Sequence, residues 1–279
     1  MYRTSAGDRD VEREPHREQP DRALEAFLRA AELDDDTVET HFALGSLYRR
    51  RGEVDRAIKI HQNIAARESL EPAQREQAGF ALAQDYLKAG LLDRAEELFL
   101  KLDGTPHAES AMRFLLEIYE QEKDWRKAIG TAEKLEGLTG RSFQKEIANF
   151  FCEMAARELM QSRPAEARPH LLEALTHHRL CVRANMLLGD LERDLGNRPA
   201  AIAAWQRIES QNPAYLSLVA ERLLGAYRSE ARAEEGFNLL RGFLEKYPSL
   251  DLLDLVYQEL LATSGAPAAY RLVRDEVRR

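Results

Sequence analysis

Cysteine is scarce in this sequence, which has only Cys152 and Cys181 among its 279 residues. The two lie on different segments, so they do not form the dense disulfide framework of small secreted domains. No Cys-x-x-Cys pair is present, which excludes a zinc or iron site built from such pairs in these residues. We therefore predict two buried, unmodified thiols.

Long apolar runs are also absent. A membrane-spanning helix needs roughly 18 or more consecutive apolar residues, and no such run occurs. Residues 1–20 carry only Met1, Tyr2, Ala6 and Val11 as apolar side chains, so they do not form a secretory signal peptide. The net charge of −8 excludes a global basic field for nucleic acid. These absences predict a cytoplasmic protein with no membrane span in this chain.

The motifs of common catalytic and nucleotide-binding sites are missing too. The sequence has no G-x-x-x-x-G-K-[ST], G-x-G-x-x-G, G-x-S-x-G or H-E-x-x-H. His107-Ala108-Glu109 matches half of a deaminase motif but lacks the Pro-Cys-x-x-Cys that completes it. His177-His178 has no cysteine or carboxylate at ligand spacing and is predicted to be a solvated helix end. We expect neither enzymatic activity nor a cofactor or metal in these residues.

The sequence does contain a repeat. Small residues recur in a constant frame of apolar residues at intervals of 34, 38, 33, 39, 34, 35 and 32 residues. A period near 34 with two helices per unit is typical of tetratricopeptide repeats. Glycine is sparse, and no alternating strand pattern stands out. The recurring small residues are Ala23, Ala57, Ala95, Ala128, Ala167, Ala201, Gly236 and Ala268.

The best-preserved unit is residues 182–213. Its Gly189, Gly196, Ala201 and Trp205 resemble the tetratricopeptide frame position by position. A small residue on the first helix lets the second helix of the pair approach closely. Glycine in the intervening turn suits a helix end that needs positive φ. The first-helix residues of this kind are Gly45, Ala83 and Gly189, and the turn glycines are Gly52, Gly90 and Gly196.

These patterns predict an all-α tetratricopeptide repeat solenoid, a right-handed superhelix of antiparallel helix pairs with about seven units. Residues 1–20 are predicted to be a disordered polar tail, and 21–279 the repeat domain. Asp21–Leu33 would be the second helix of an incomplete unit. Full units are predicted at 38–69, 70–107, 108–142, 143–179, 180–213 and 214–248, with a last pair at 249–279.

Three local features accompany this division. Spacings of 38 and 39 imply longer turns near 69–72 and 137–145. Pro169 in a second helix requires that helix to begin near Glu166 or to kink. The incomplete terminal units would expose apolar faces, which predicts fraying or self-association into a homo-oligomer.

In this fold the first helices line a protein-binding groove. Arginine recurs there in four units, and guanidinium groups pair well with carboxylates and phosphates. We therefore hypothesise an acidic or phosphorylated segment of a protein partner. The alternative is a solvated face whose arginines pair with neighbours such as Glu117 and Asp190. The predicted groove residues are Phe42, Ser46, Arg49, Arg50, Phe80, Gln84, Lys88, Arg113, Glu117, Gln121, Asn149, Arg183, Met186, Arg193 and Arg228.

The stretch Tyr48–Gln62 is more specific than the repeat, and it resembles the lipopolysaccharide assembly protein B family. Asp85–Glu96, Trp125–Ile129 and Phe151–Glu153 are similar to later units of that family, and the likeness covers about 21–279. Generic repeats do not usually share surface residues. The surface residues in the matching stretch are Arg51, Glu53, Asp55, Arg56, His61 and Gln62. His61 also holds the frame position of Phe99 and Trp205, which predicts a packed, hydrogen-bonded imidazole.

The resemblance implies a specific role. Family members are anchored in the bacterial inner membrane by one N-terminal helix, with their repeats in the cytoplasm. They act with a membrane-bound AAA+ metalloprotease to control the deacetylase that commits precursor to lipid A. They end in a rubredoxin-like module that binds metal through two Cys-x-x-Cys pairs. This sequence shows neither anchor nor module, so we expect a fragment of a longer protein rather than a shortened relative.

Two functions remain open from the sequence. The first is a non-enzymatic adaptor in lipopolysaccharide control, which the Arg51–Gln62 surface favours. The second is a general tetratricopeptide scaffold or co-chaperone unrelated to lipid A, although a complete carboxylate clamp is missing. Nucleic-acid or anionic-lipid binding by Arg49-Arg50-Arg51 is disfavoured because Glu53 and Asp55 follow.

Overall fold

A computed structural model describes residues 37–277. The described residues form α-helices joined by short turns, with one 3₁₀ turn at Pro213–Tyr215 and no strand. The predicted tail at 1–20 and the predicted half-unit Asp21–Leu33 lie outside them. The described residues form two compact units, which divide between Lys123 and Asp124.

The first compact unit contains five described helices that pack in sequence order. Each helix contacts the next one, and α1 also contacts α3, so consecutive helix pairs stack. Phe42, Ile64 and Leu70 form a buried cluster with Ala78 and Ala81 across the first two pairs. The helices are α1 (Val38–Arg51), α2 (Val54–Ala65), α3 (Pro72–Lys88), α4 (Leu92–Leu100) and α5 (Ala108–Glu122).

The second compact unit contains nine described helices with the same packing order. Each first helix contacts its own second helix and the first helix of a neighbouring pair, as α7 does with α8 and α9. One buried cluster of this unit surrounds Trp205 and includes Leu216, Leu223 and Leu240. The helices are α6 (Trp125–Thr139), α7 (Gln144–Met160), α8 (Pro164–His177), α9 (Val182–Asp194), α10 (Arg198–Gln211), α11 (Leu216–Ser229), α12 (Ala233–Lys246), α13 (Leu250–Ser264) and α14 (Ala266–Val277).

Every predicted unit from 38–69 onward contains two helices, which confirms the repeat frame. The close approaches are confirmed as well. A Cβ added at Gly45 would lie 2.5 Å from Nε2 of His61, and one added at Gly189 would lie 2.2 Å from Nε1 of Trp205. A side chain at either glycine would therefore displace a ring that is fully buried.

The turn between the two helices of a unit has a left-handed residue in six cases. Glycine takes this conformation at Gly52, Gly90 and Gly196, with φ between 74° and 83°, as predicted. The other three units place a non-glycine residue there, each with φ of 57°: Lys123, Ser162 and Ala231. The Cβ atom makes this conformation costly, by roughly 1–2 kcal/mol.

Two local expectations need correction. The connection after α2 is long, as predicted, but α6 runs to Thr139 and ends at Gly140 with φ 66°. The turn near 137–145 is therefore only residues 140–143, because α6 continues to Thr139 and the next helix begins at Gln144. Helix α8 begins at Pro164 instead of Glu166, so Pro169 lies inside it and offers no amide to the carbonyl four residues earlier.

Candidate protein-binding cleft

A cleft of about 440 Å³ lies where α1, α3 and α5 come together near their C-terminal ends. All three are first helices of their units, as the groove prediction requires. Leu87 and Phe114 also line it, and neither was among the predicted groove residues. The predicted residues that meet in this cleft are Arg49, Arg50, Gln84, Lys88, Glu117 and Gln121.

The cleft combines an apolar floor of Leu87 and Phe114 with two cations that lack ion pairs in the described part of the chain and with one carboxylate, that of Glu117. Phe114 is half-buried and stacks on Phe99 with ring centroids 5.1 Å apart, which fixes its orientation. Arg50 and Lys88 are exposed and form no ion pair with any described residue. Glu117 accepts a 3.4 Å hydrogen bond from the amide of Gln121. The surface therefore suits a segment that brings a carboxylate together with an apolar side chain.

Arg49 has a different role from Arg50. Its Nη1 donates to Oδ1 of Asp85 at 2.8 Å and to the carbonyl of Ala81 at 3.0 Å. Asp85 is fully buried and its other oxygen bonds Nδ1 of His61. This Arg49–Asp85–His61 cluster joins α1, α2 and α3, so Arg49 mainly holds adjacent helix pairs together.

Two further predicted residues are internal. His61 was placed on the family-like surface, but it is fully buried because Gly45 leaves room for its ring. The prediction that it is packed and hydrogen-bonded is confirmed. Phe42 was placed in the groove, but it is buried in the core, with its ring centroid 6.1 Å from that of His61.

Most of the remaining residues of the family-like surface form contacts within and between the first two helix pairs. Glu53 pairs with Arg51 at 2.9 Å and with Arg56 at 2.7 Å. The guanidinium of Arg56 lies 5.4 Å from the ring centroid of Tyr48. Gln62 donates to the hydroxyl of Tyr86 at 2.9 Å, whereas Asp55 is exposed. Most of this surface therefore stabilises the repeat itself.

The other predicted arginines pair within the chain. Arg183 donates to Asn149 and Glu153, both at 2.7 Å. Arg113 pairs with a carboxylate one helical turn away, Arg193 pairs with Asp190 and Asp194, and Arg228 pairs with Glu259. These contacts match the alternative of a solvated, internally paired face. Ser46, Phe80 and Met186 are half-buried, and Phe80 stacks on His107 at 4.8 Å.

The two cysteines lie side by side, which their separation in sequence did not predict. Cys181 is half-buried, so the prediction of two buried thiols is correct only for Cys152. Their sulfur atoms are 3.9 Å apart, with Cys152 buried on α7 and Cys181 capping α9. When Cys181 is ionised, its sulfur accepts a hydrogen bond from the Cys152 thiol. This bond, the backbone amides of Ala184 and Arg183, and the Arg183 charge lower the pKa of Cys181 to about 6. The same bond and burial raise the pKa of Cys152.

Within residues 37–277 no group of three or more His, Cys, Asp and Glu side chains is placed to bind a metal ion. A rubredoxin-like site needs four thiolates, and this chain has two cysteines that contact each other. Among the described helices, none combines the length and apolarity needed to cross a bilayer.

Comparison with known proteins agrees with this architecture. The tetratricopeptide repeat family model matches residues 17–69, 80–141 and 153–215. A chain in the structure of Naa15/Naa10 bound to HypK-THB is similar in fold, with a TM-score of 0.50 and 14% identity. That match covers 92% of this chain and 41% of the other.

Two curated relatives are similar along most of the sequence. Lipopolysaccharide assembly protein B of Escherichia coli K12 is 33% identical, over 94% of this chain and 67% of the relative. The Haemophilus influenzae protein of the same name is 35% identical, over 71% of this chain and 52% of the relative. Together with the all-α helix pairs, these matches show that the chain belongs to the lipopolysaccharide assembly protein B family of tetratricopeptide repeat proteins.

Proposed function

We propose that the chain is a non-enzymatic adaptor in the control of lipopolysaccharide biosynthesis. It links a membrane-bound AAA+ metalloprotease to the deacetylase that commits precursor to lipid A, at the cytoplasmic face of the inner membrane. Family membership supports the pathway, and the repeat fold supports protein binding. The first helices form a cleft that suits a peptide segment, and the sequence contains none of the common catalytic motifs.

The observation that carries this proposal is the cleft between α1, α3 and α5. Arg50 and Lys88 supply positive charge beside Leu87 and Phe114. An acidic or phosphorylated segment with one apolar side chain would pair with the cations and bury that side chain on the floor. Because both cations lack ion pairs among the described residues, a partner would not have to displace an existing bond.

The test is affinity capture from an Escherichia coli membrane extract with the purified chain, followed by binding measurements with the purified protease and deacetylase. We compare the chain with the double variant R50E/K88E, which reverses the cleft charge. The matched control K59E/R241E reverses two exposed cations outside the cleft. We expect both enzymes to be enriched, and binding of at least one to fall about tenfold or more in R50E/K88E alone.

The outcomes separate the adaptor from the general scaffold. Enrichment only of chaperones or unrelated peptides would support the general scaffold and contradict the adaptor. Enrichment of both enzymes with equal binding by R50E/K88E would retain the adaptor and reject the cleft as its binding site. Arg49 is left intact in this design because its loss would disturb the buried Asp85 cluster.

A further inference from the structure

A second pocket, of about 590 Å³, lies in the part of the chain after Asp124. It is bounded by the C-terminal ends of α8 and α10, the turn before α9, and the first turns of α9. Arg179, Asn185, Arg207 and Gln211 supply most of its polar lining. These residues belong to neither the predicted groove nor the family-like surface.

Asn185 is the unusual member of this lining. Its side chain is 1% exposed, yet neither its Oδ1 nor its Nδ2 has a hydrogen-bond partner within the chain. Buried carboxamides normally have both groups bonded, since an unpaired buried polar group destabilises a fold. Because Asn185 lines the pocket and its Oδ1 and Nδ2 have no partner in the chain, we expect both atoms to form hydrogen bonds with a bound ligand.

In the preceding repeat unit, the position equivalent to Asn185 holds an aromatic residue, Phe151. Asn185 lies four residues before Gly189, and Phe151 lies four residues before the buried Ala155. Phe151 packs there as an aromatic, with its ring 5.3 Å from that of His177. The change to asparagine replaces this apolar contact with one donor and one acceptor.

The rest of the lining complements Asn185. Arg179 and Arg207 are exposed, and neither forms an ion pair with a described residue. Gln211 donates from Nε2 to the carbonyl of Arg179 at 2.7 Å, which fixes the turn, while its buried Oε1 has no partner in the chain. The pocket thus offers two guanidinium groups, one carboxamide donor and two amide acceptors.

We propose that this pocket binds an extended peptide segment that carries a carboxylate. The carboxamide of Asn185 pairs with the N–H and C=O of the peptide backbone, since its donor and acceptor match them. The guanidinium groups of Arg179 and Arg207 pair with the carboxylate, which comes from an acidic side chain or from a chain terminus.

This site is separate from the predicted groove on the same helix. Arg183, a groove residue, lies two positions before Asn185, so the two side chains project about 200° apart around α9. Arg183 is already bonded to Asn149 and Glu153. The pocket therefore extends the proposed function with a second peptide site, and it does not depend on the cleft near Arg50.

The test uses the full ¹⁵N-labelled chain. Each of three probe peptides is added to it separately, and binding is followed by NMR. The probes are N-acetyl-trialanine with a free carboxylate, its C-terminal amide, and N-acetyl-Ala-Glu-Ala amide. We expect at least one carboxylate-bearing probe to shift the Asn185 and Gln211 side-chain amide signals in a saturable way. The trialanine amide should bind about tenfold more weakly or worse. The two carboxylate probes distinguish a chain terminus from an acidic side chain.

Substitutions of Arg179, Arg207 and Asn185 test whether these side chains bind the probes. R179Q and R207Q change exposed side chains and should each weaken binding about tenfold, whereas R241Q, an exposed arginine outside the pocket, should not. N185L should abolish binding. If N185L fails to fold, the two arginine variants decide. The proposal is overturned if neither carboxylate probe saturates, if the trialanine amide binds equally well, or if R179Q and R207Q bind like the unmodified chain.

Discussion

At the scale of single residues, Asp85 is the clearest case of a polar group that the fold depends on. It is fully buried and bonded to Arg49 and His61, which come from two other helices. A buried carboxylate is stable only when it is paired in this way, and loss of one member leaves the others uncompensated.

We expect Asp85→Ala to lower the free energy of unfolding by about 3–5 kcal/mol, because it leaves Arg49 and His61 without their partner. Urea denaturation followed by circular dichroism measures this change. Asp93→Ala, at an exposed aspartate on α4, is the matched control and should change stability by about 0.5 kcal/mol or less. Equal effects of the two substitutions would mean that the cluster contributes little.

Cys181 should react with thiol reagents far faster than Cys152. Its pKa is lowered to about 6, so it is mostly thiolate at pH 7, while Cys152 is buried and its pKa is raised. Alkylation by iodoacetamide, followed by peptide mass spectrometry, should label Cys181 with a midpoint near pH 6. Preferential labelling of Cys152 would contradict the assignment.

The lowered pKa of Cys181 also makes the free energy of unfolding depend on pH. The folded-state pKa of Cys181 lies below the ordinary thiol value of 9.0, so the thiolate stabilises the folded chain above pH 9. This contribution declines as the pH falls from 9 to 6 and is lost below the folded pKa. The urea midpoint should therefore rise between pH 6 and pH 9 more in the unmodified chain than in Cys181→Ser. Parallel pH profiles of the two proteins would count against it.

At the scale of the helical elements, the turns between the two helices of a repeat unit differ in backbone strain. Ala231 joins α11 to α12 with φ of 57°, where other units place glycine. We expect Ala231→Gly to stabilise the chain by about 0.5–1 kcal/mol, because relief of the left-handed conformation exceeds the added entropy of the unfolded chain. Ala233→Gly, in the first turn of α12, should act in the opposite direction. Thermal melting distinguishes the two signs.

The helix pair α9–α10 is packed too tightly to accept a larger side chain. Ala201 is fully buried beside Trp205. Ala201→Leu should destabilise the chain by roughly 1–3 kcal/mol through overpacking. Ala203→Leu, an exposed position on the same helix, should be nearly neutral in the same denaturation experiment. A neutral Ala201→Leu would contradict the repeat frame in this unit.

The sequence predicts the helix pairs well because each frame residue reports a contact within its own unit. Gly45 with His61 and Gly189 with Trp205 are contacts of this kind, sixteen residues apart. Contacts between units leave no such periodic signal. The Arg49–Asp85 bond, the Cys152–Cys181 contact and the pocket at Asn185 each join residues of different units, and sequence reasoning missed them.

At the scale of the whole molecule, stability in a repeat protein is close to a sum over neighbouring units. Hydrogen exchange should therefore respond locally. Asp85→Ala should speed exchange in α1–α4 and leave α9–α12 unchanged, and Ala201→Leu should do the reverse. Uniform acceleration along the chain by either substitution would indicate a single cooperative unit instead.

The chain contains only two tryptophans, and both lie after Asp124. Trp205 is fully buried beneath Gly189, and Trp125 at the start of α6 stacks on Phe150. Intrinsic tryptophan emission therefore reports the environment of residues 124–279, whereas unfolding before Lys123 changes mainly tyrosine emission and helical ellipticity. Denaturation curves from tryptophan emission and from helical ellipticity would separate the two parts of the chain without a label or a mutation.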